Sequence, residues 1–236
     1  MSGSIRLFVR DRLKRDAAIS LPPEQARYVL TVMRRGLGDT VRLFNGVDGE
    51  WRAVIIHAGR AQATLLIREN LRDQAPDGAD IWLAFALLKR DATDLVVQKA
   101  TELGVTAIQP VITARTNAAR VNLARLSAIA TEAAEQCERL SVPDVRTPMA
   151  LERLLKEWPT NRGLFTAMER TDSPRLRAPN GSAALLVGPE GGWTEEERRL
   201  ILSHAFARPV SLGPLVLRAE TACLAGLVLL QAGTRD

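Results

Sequence analysis

The sequence predicts an α/β protein in which a parallel-sheet domain follows a small β-barrel. Three observations predict it. Near the carboxyl end, two short apolar runs, Ala183–Val187 and Pro209–Leu212, each stop at a Gly-Pro loop that leads into a helical pattern. Runs of this length bounded by Gly and Pro are the mark of strands buried in an α/β sheet. From residue 73 onward, strand-like and helix-like segments alternate, as in βαβ units. Before it, the segments are short, rich in β-formers and joined by tight turns. The 236 residues therefore divide into a barrel over 1–72 and an α/β domain over 73–236.

In the first region the expected strands are Ile5–Val9, Thr40–Phe44, Glu50–Ile56 and Ala61–Ile67. Asn45-Gly46 and Asp48-Gly49 are turn signals between two of them. A helix over Pro23–Met33 interrupts the strands, with Pro22 and Pro23 at its start and Gly36 just past its end. Asp73-Gln74-Ala75-Pro76-Asp77-Gly78 reads as a linker. Then come a continuous apolar strand, Ile81–Leu88, a helix over Asp91–Leu103 capped by Gly104, and a strand over Val105–Ile112. Leu123–Leu140 is a long helix stopped before Pro143, and Leu151–Trp158 is another. Strands follow at Gly163–Ala167 and Ala183–Val187, and Thr194 with Glu197 has capping-box spacing. The last helix covers Ala219–Gln231 and ends at Gly233; it is apolar around most of its circumference, so it must be well buried.

Composition excludes several classes. No apolar run is long enough to cross a bilayer, and the first residues lack the apolar core of a signal peptide, so a cytoplasmic protein is expected. Cys137 and Cys223 stand apart without CxxC spacing, and His57 and His204 have no clustered carboxylates, so no metal is expected. GxGxxG, GxxxxGK[ST] and GxSxG are absent, which removes the usual nucleotide fingerprints and the hydrolase elbow. Charge is uneven. Residues 1–72 hold 13 Lys+Arg against 7 Asp+Glu, a net +6, while the rest holds 19 against 20, a net −1. Only four basic residues are lysine; the bias toward arginine suits phosphate contact. The basic first region is thus a candidate polyanion binder, with Arg6, Arg10, Arg34 and Arg35 as phosphate contacts. Aromatics are 4% of the chain, which disfavours reading by base stacking.

The loops at Gly188-Pro189-Glu190-Gly191-Gly192 and Gly213-Pro214-Leu215 lie where α/β sheets bind ligands, at the carboxyl ends of strands. Glycine lets a backbone run close to a ligand, and the helix starts that follow present free N–H groups.

These segments also carry a resemblance. VGPEGGWTEEE and SLGPLVLRAETA resemble the two carboxyl-terminal signatures of the RsmE family of SPOUT methyltransferases. YVLTVMRRGLGDTVRLFNGVDGEW is similar to that family's PUA-like barrel, LLKRDATDLVVQKATELGVTAIQPVIT to its first βαβ unit, and EAAEQCERLSVPDV to the helix that follows. The resemblance spans nearly the whole chain. It implies a trefoil-knotted SPOUT domain, a homodimer, and methylation by S-adenosylmethionine of N3 of a uridine in 16S small-subunit ribosomal RNA. Another RNA as substrate, or a non-catalytic ribosome-assembly role on the same fold, are the competing readings. Carried over residue by residue, Val187, Gly188, Glu190, Gly191 and Gly192 would meet the cofactor in the first loop. Leu212, Gly213, Leu215 and Leu217 would hold the adenine, with Thr221 and Ala222 at the next helix start and Thr166 at the end of its strand. Arg218 would stabilise charge developing on the uracil, and Glu190 or Glu220 would take the imide proton. The sequence departs from the family where Leu215 replaces an arginine and Arg27 a histidine, and where the aromatic near Leu123–Leu126 is missing.

Overall fold

The computed structural model describes residues 5–75, 80–116, 121–169, 172–177 and 181–232. Contacts divide the chain into two units: Met1–Pro76 with Ala134–Ser141, and Asp77–Ala133 with Val142–Asp236. The return of 134–141 to the first unit departs from a single cut after residue 72.

The first unit contains β1 (Arg6–Phe8), β2 (Ala18–Ser20), α1 (Pro23–Arg27), a π-helical turn over Tyr28–Val32, β3 (Thr40–Phe44), β4 (Glu50–Gly59) and β5 (Gln62–Arg72). The strands form one sheet in the order β1-β3-β4-β5-β2. β1 lies parallel to β3, and the remaining pairs are antiparallel. Alternate residues point inward, so Val41, Leu43, Ala53, Ile55, Leu65 and Ile67 form the core with Ala26 and Val29 of the helical turns. Register shifts in the β4–β5 pair mark bulges that bend the ribbon around this core. β2 was absent from the expected strands because three residues are too few to show alternation. The expected helix starts at Pro23 but widens at Tyr28, where Met33 N–H donates to Tyr28 O at 2.9 Å. The left-handed residue that ends it is Arg34, at φ 53°, rather than Gly36.

Glu50 is 1% exposed and takes Arg6 Nε at 2.5 Å and Arg72 Nε at 2.8 Å, with Arg42 at 3.7 Å. The remaining donors of Arg6 bind the carbonyls of Ala134, Glu135 and Arg139. This polar contact brings 134–141 into the first unit. It also corrects one expectation: Arg6 is 6% exposed with its guanidinium engaged inside the unit, so it is no phosphate contact. Asp48 closes the predicted turn between β3 and β4. It accepts from Leu13 N–H first, then Asn45 and Arg12, and these bonds outweigh its burial and hold its carboxyl below the usual range.

The second unit is a three-layer α/β sandwich. In order it holds β6 (Ile81–Ala86), α2 (Arg90–Glu102), β7 (Ala107–Ile112), α3 (Leu123–Gln136, whose last turn belongs to the first unit), β8 (Asp144–Val145), β9 (Met149–Ala150), α4 (Leu151–Lys156), β10 (Gly163–Ala167), β11 (Ala183–Val187), α5 (Glu195–Leu202), β12 (Ala207–Val210) and α6 (Ala219–Gln231). The seven strands are parallel, in the order β12-β10-β11-β6-β7-β8, with β9 also paired to β7. Ile81, Leu83, Phe85, Leu185 and Val187 pack against α2, α3 and α6, while Ala84, Leu186 and Leu164 pack against α4 and α5. Burial on both faces is why these strands read as unbroken apolar runs.

The expected run Pro209–Leu212 shifts to Ala207–Val210 because β10 sets the register: Leu164 N–H bonds Phe206 O and Met168 N–H bonds Val210 O. α3 stops at Gln136, four residues early, and Glu138 turns left-handed at φ 62°. Pro76, Asp77 and Gly78 of the expected linker, and Gly233, lie outside the described residues. Among the described residues, no helix is long and apolar enough to cross a membrane.

At the amino ends of the strands, Arg162 is 6% exposed and donates to the carbonyls of Asp80 (2.6 Å) and Ala183 (3.1 Å) and to the Asp80 carboxylate. Trp82 lies within 3.8 Å of the Arg162 guanidinium and 3.9 Å of that of Arg146. Burial pushes the Asp80 carboxyl up, but the bonds from Arg162, Thr106 and Ser182 outweigh it and leave it below its ordinary value.

Candidate active site

At the opposite edge, the loops leaving β6, β7, β10, β11 and β12 enclose a cavity of about 1470 Å3. The first glycine loop, after β11, is anchored by Trp193, which is 5% exposed and donates Nε1–H to Ala167 O at 3.3 Å. The indole lies so close to Gly188 that a Cβ there would stand 2.8 Å from the ring. Gly188 therefore makes room for Trp193, a reason the sequence did not reveal. Gly192 is left-handed at φ 71°, and its N–H closes a turn onto Pro189 O at 2.8 Å. α5 begins with the expected capping box: Thr194 Oγ1 accepts from Glu197 N–H, and Glu197 Oε2 accepts from Thr194 N–H.

The second loop leaves β12 at Ser211, which pairs with the segment after β10 through Ser211 N–H to Pro174 O and Leu176 N–H to Ser211 O. Leu212 and Leu217 pack against the core, whereas Leu215 and Val216 are 75% and 60% exposed at the cavity lip. Arg218 then opens α6. Its side chain does not cap the helix, and neither does that of Lys89 at the start of α2. Two helix starts without side-chain caps thus face the cavity, adding positive potential to that of Lys89, Arg115, Arg198 and Arg218. Among the described residues, Lys89, Arg198 and Arg218 form no ion pair. Glu169, Glu190 and Glu220 also line the cavity. Such a wall suits a ligand with one flat apolar part and several polar groups, beside a polyanion.

Most expected site residues meet here: Val187, Gly188, Glu190, Gly191, Gly192, Leu212, Gly213, Leu215, Leu217, Arg218, Glu220 and Ala222 all border the cavity. Two do not. Thr166 is fully buried and its hydroxyl has no hydrogen-bond partner among the described residues, and Leu164 in β10 and Met168 just past its end belong to the α4–α5 side. Thr221 is exposed while Ala219 and Ala222 turn inward, the consequence of a helical step of 100°. In the first unit Arg10 and Arg34 are exposed and Arg35 is half-buried.

Sequence reasoning missed Lys89, Arg115, Met168, Trp193 and Arg198. Lys89 had a usable signal, since it follows an apolar run and precedes a helix just as the two glycine loops do. Arg115 had none. Cys223 lies in α6, but burial, and secondly the charge of Glu220, push its thiol far up, so it is no nucleophile at neutral pH. Among the described residues, no cluster of three potential metal ligands occurs.

Residues 75–231 match the family model of the RNA methyltransferase domain, and residues 21–68 that of the RNA methyltransferase PUA domain. The chain is 34% identical over 230 residues to Ribosomal RNA small subunit methyltransferase E of Rickettsia conorii, covering 94% of this chain and 93% of that one. Two solved structures are each 32% identical and match over 98% of both chains. One is a Ribosomal RNA small subunit methyltransferase E from Neisseria gonorrhoeae bound to S-adenosyl methionine, with a TM-score of 0.88. The other is a putative methyltransferase from Legionella pneumophila with bound cofactor SAM, with a TM-score of 0.87.

Proposed function

Because the chain belongs to the family of Ribosomal RNA small subunit methyltransferase E, we propose that it methylates small-subunit ribosomal RNA with S-adenosylmethionine, at N3 of a uridine in 16S RNA. The observation that carries this reading is the meeting of both Gly-Pro loops and two uncapped helix starts around one cavity. That wall fits the cofactor. Leu212, Leu215 and Leu217 offer apolar contact to a purine, and the backbone of residues 188–192 and 213–217 offers donors and acceptors to its polar groups.

Bound there, S-adenosylmethionine supplies an electrophilic methyl carbon. Uracil N3 would bond to that carbon as the carbon's bond to the sulfonium sulfur breaks, the sulfur leaving as a neutral thioether, and the N3–H proton must leave as well. Glu190 and Glu220, which border the cavity, are the carboxylates assigned to accept that proton. Arg218, at the start of α6, adds its charge to the helix dipole to stabilise negative charge developing on the uracil. Arg10, Arg34 and Arg35 contribute phosphate contacts from the first unit. A homodimer would cover the side of α6 that carries Val228, 51% exposed, and the partly covered Leu224.

Mass spectrometry of 16S RNA from a strain lacking this protein, before and after its return, tests the reading. Loss and recovery of N3-methyluridine is expected; unchanged content would overturn it.

A further inference from the structure

The loop after β7 carries a side chain to which the chemistry above gives no role. Thr113–Thr116 is a tight turn: Thr116 N–H donates to Thr113 O at 3.1 Å, Thr113 N–H donates to Thr116 Oγ1 at 2.9 Å, and the two hydroxyls lie 2.8 Å apart. Arg115 therefore projects from a well-defined base. Its Nη1 donates to the carbonyl of Gly191 at 2.5 Å, across 76 positions of sequence. Its stem lies beneath Gly191, where a Cβ would stand 3.2 Å from Arg115 Cδ. One residue earlier, Ala114 N–H donates to Glu197 Oε1 at 2.8 Å, while Oε2 of the same carboxylate holds Thr194 N–H at 2.9 Å. The turn thus grips the first glycine loop at two points, at Gly191 and at the helix start that closes it.

We infer that Arg115 is a positioning residue: it holds the Gly188–Trp193 loop in its ligand-ready shape, and so sets the affinity for S-adenosylmethionine. The inference rests on the function proposed above. A loop with glycine at 188, 191 and 192 has much backbone freedom to lose on binding. A charged donor fixing one of its carbonyls removes part of that freedom beforehand, which is how preorganisation raises affinity. Gly191 also gains a reason of its own, since it leaves room for the arginine stem.

Calorimetry with S-adenosylmethionine on the full-length protein is the test. Arg115→Ala should raise the cofactor Kd roughly tenfold, the order expected for one hydrogen bond from a charged donor. The KM for cofactor should rise by more than kcat falls, and the melting temperature should stay within about 2 °C, as expected for an exposed side chain. Arg115→Lys, which keeps a shorter cationic donor, should recover part of the loss. Gly191→Ala serves as a second variant if Arg115→Ala does not fold. Its methyl must push the stem aside, so Kd should rise severalfold. Unchanged cofactor affinity in folded variants overturns the inference. So does a loss confined to RNA affinity with a flatter salt dependence, which would make Arg115 a phosphate contact. A wild-type protein that binds no S-adenosylmethionine overturns the proposed function itself, and the wild-type arm alone reveals that.

Discussion

The two edges of the seven-stranded sheet are built differently. At the amino ends of the strands, Arg162, Asp80, Trp82, Thr106 and Trp158 bind one another, and the Arg162 guanidinium lies over the Trp82 ring. At the carboxyl ends, two helices start without caps, Arg218 and Lys89 have no ion-pair partner among the described residues, and Leu215 and Val216 face solvent. The same strands thus end in polar groups bonded to one another below, Arg162 Nε excepted, and in helix starts without side-chain caps above. The lower edge lends stability. The upper edge leaves its donors and apolar surface for a ligand, which is the division expected where function requires groups that folding alone does not satisfy.

Breaking the lower edge should give the largest effect. Arg162→Ala removes a charged donor from the Asp80 carboxylate, which is half-exposed, and from two carbonyls. It should destabilise the protein by about 3 kcal/mol in denaturant unfolding, the order expected when a charged hydrogen-bond donor is lost and a buried carbonyl is left unmatched. The folded fraction should still bind cofactor normally. A loss below about 1 kcal/mol would show that this edge holds less than its geometry implies.

Arg218→Ala should do the reverse. Stability should stay within about 0.5 kcal/mol, while single-turnover methylation at saturating RNA and cofactor should slow by about 100-fold. A near-normal rate under those conditions would remove Arg218 from the chemistry.

Gly188→Ala probes the seam between the two behaviours. Its methyl would meet the Trp193 ring at 2.8 Å, so the indole or the loop must shift. Cofactor affinity should fall by about tenfold with a stability loss of about 1 kcal/mol, typical of overpacking. Equal affinity in the variant would mean that the loop adapts without consequence.

The smallest effect concerns acid. The Asp80 carboxyl is held below its ordinary value, so its contribution is complete above the unfolded value of about 3.9 and fades as pH falls through the lower folded value. Asp80→Asn should therefore flatten the acid limb of the stability curve below about pH 4 and leave cofactor affinity at neutral pH unchanged. An unaltered acid limb would count against the ion pair; Asp48, also depressed, contributes slope of the same sign.

How much of this was legible follows from how local each cause is. β3, β10, β11 and α6 have the expected bounds, and the Thr194–Glu197 box formed as its spacing required. Both glycine loops could be placed at a strand end because Gly-Pro after an apolar run is a signal contained in five residues. β2 was not legible, since it exists only by pairing with β5. The shift of β12 by two residues was not legible either, because β10 chose its register. Gly188 was marked as a close-approach position, but only the folded chain shows that an indole makes the approach.

The arginines show the remaining limit most clearly. Sequence alone established that the chain is rich in arginine, that its first third is basic, and that Arg218 closes an apolar run before a helix. Tertiary structure decided what each arginine does: Arg6 binds a buried carboxylate and three carbonyls, Arg162 joins the strand starts, Arg115 holds a loop far along the chain, and Arg34 stays exposed. The physical reason is one of range. Helix period, strand alternation, caps and turns depend on neighbours within a few residues, so they can be read in one dimension. The partner of a long charged side chain is whatever group the fold brings within about 3 Å, and only the completed topology determines that.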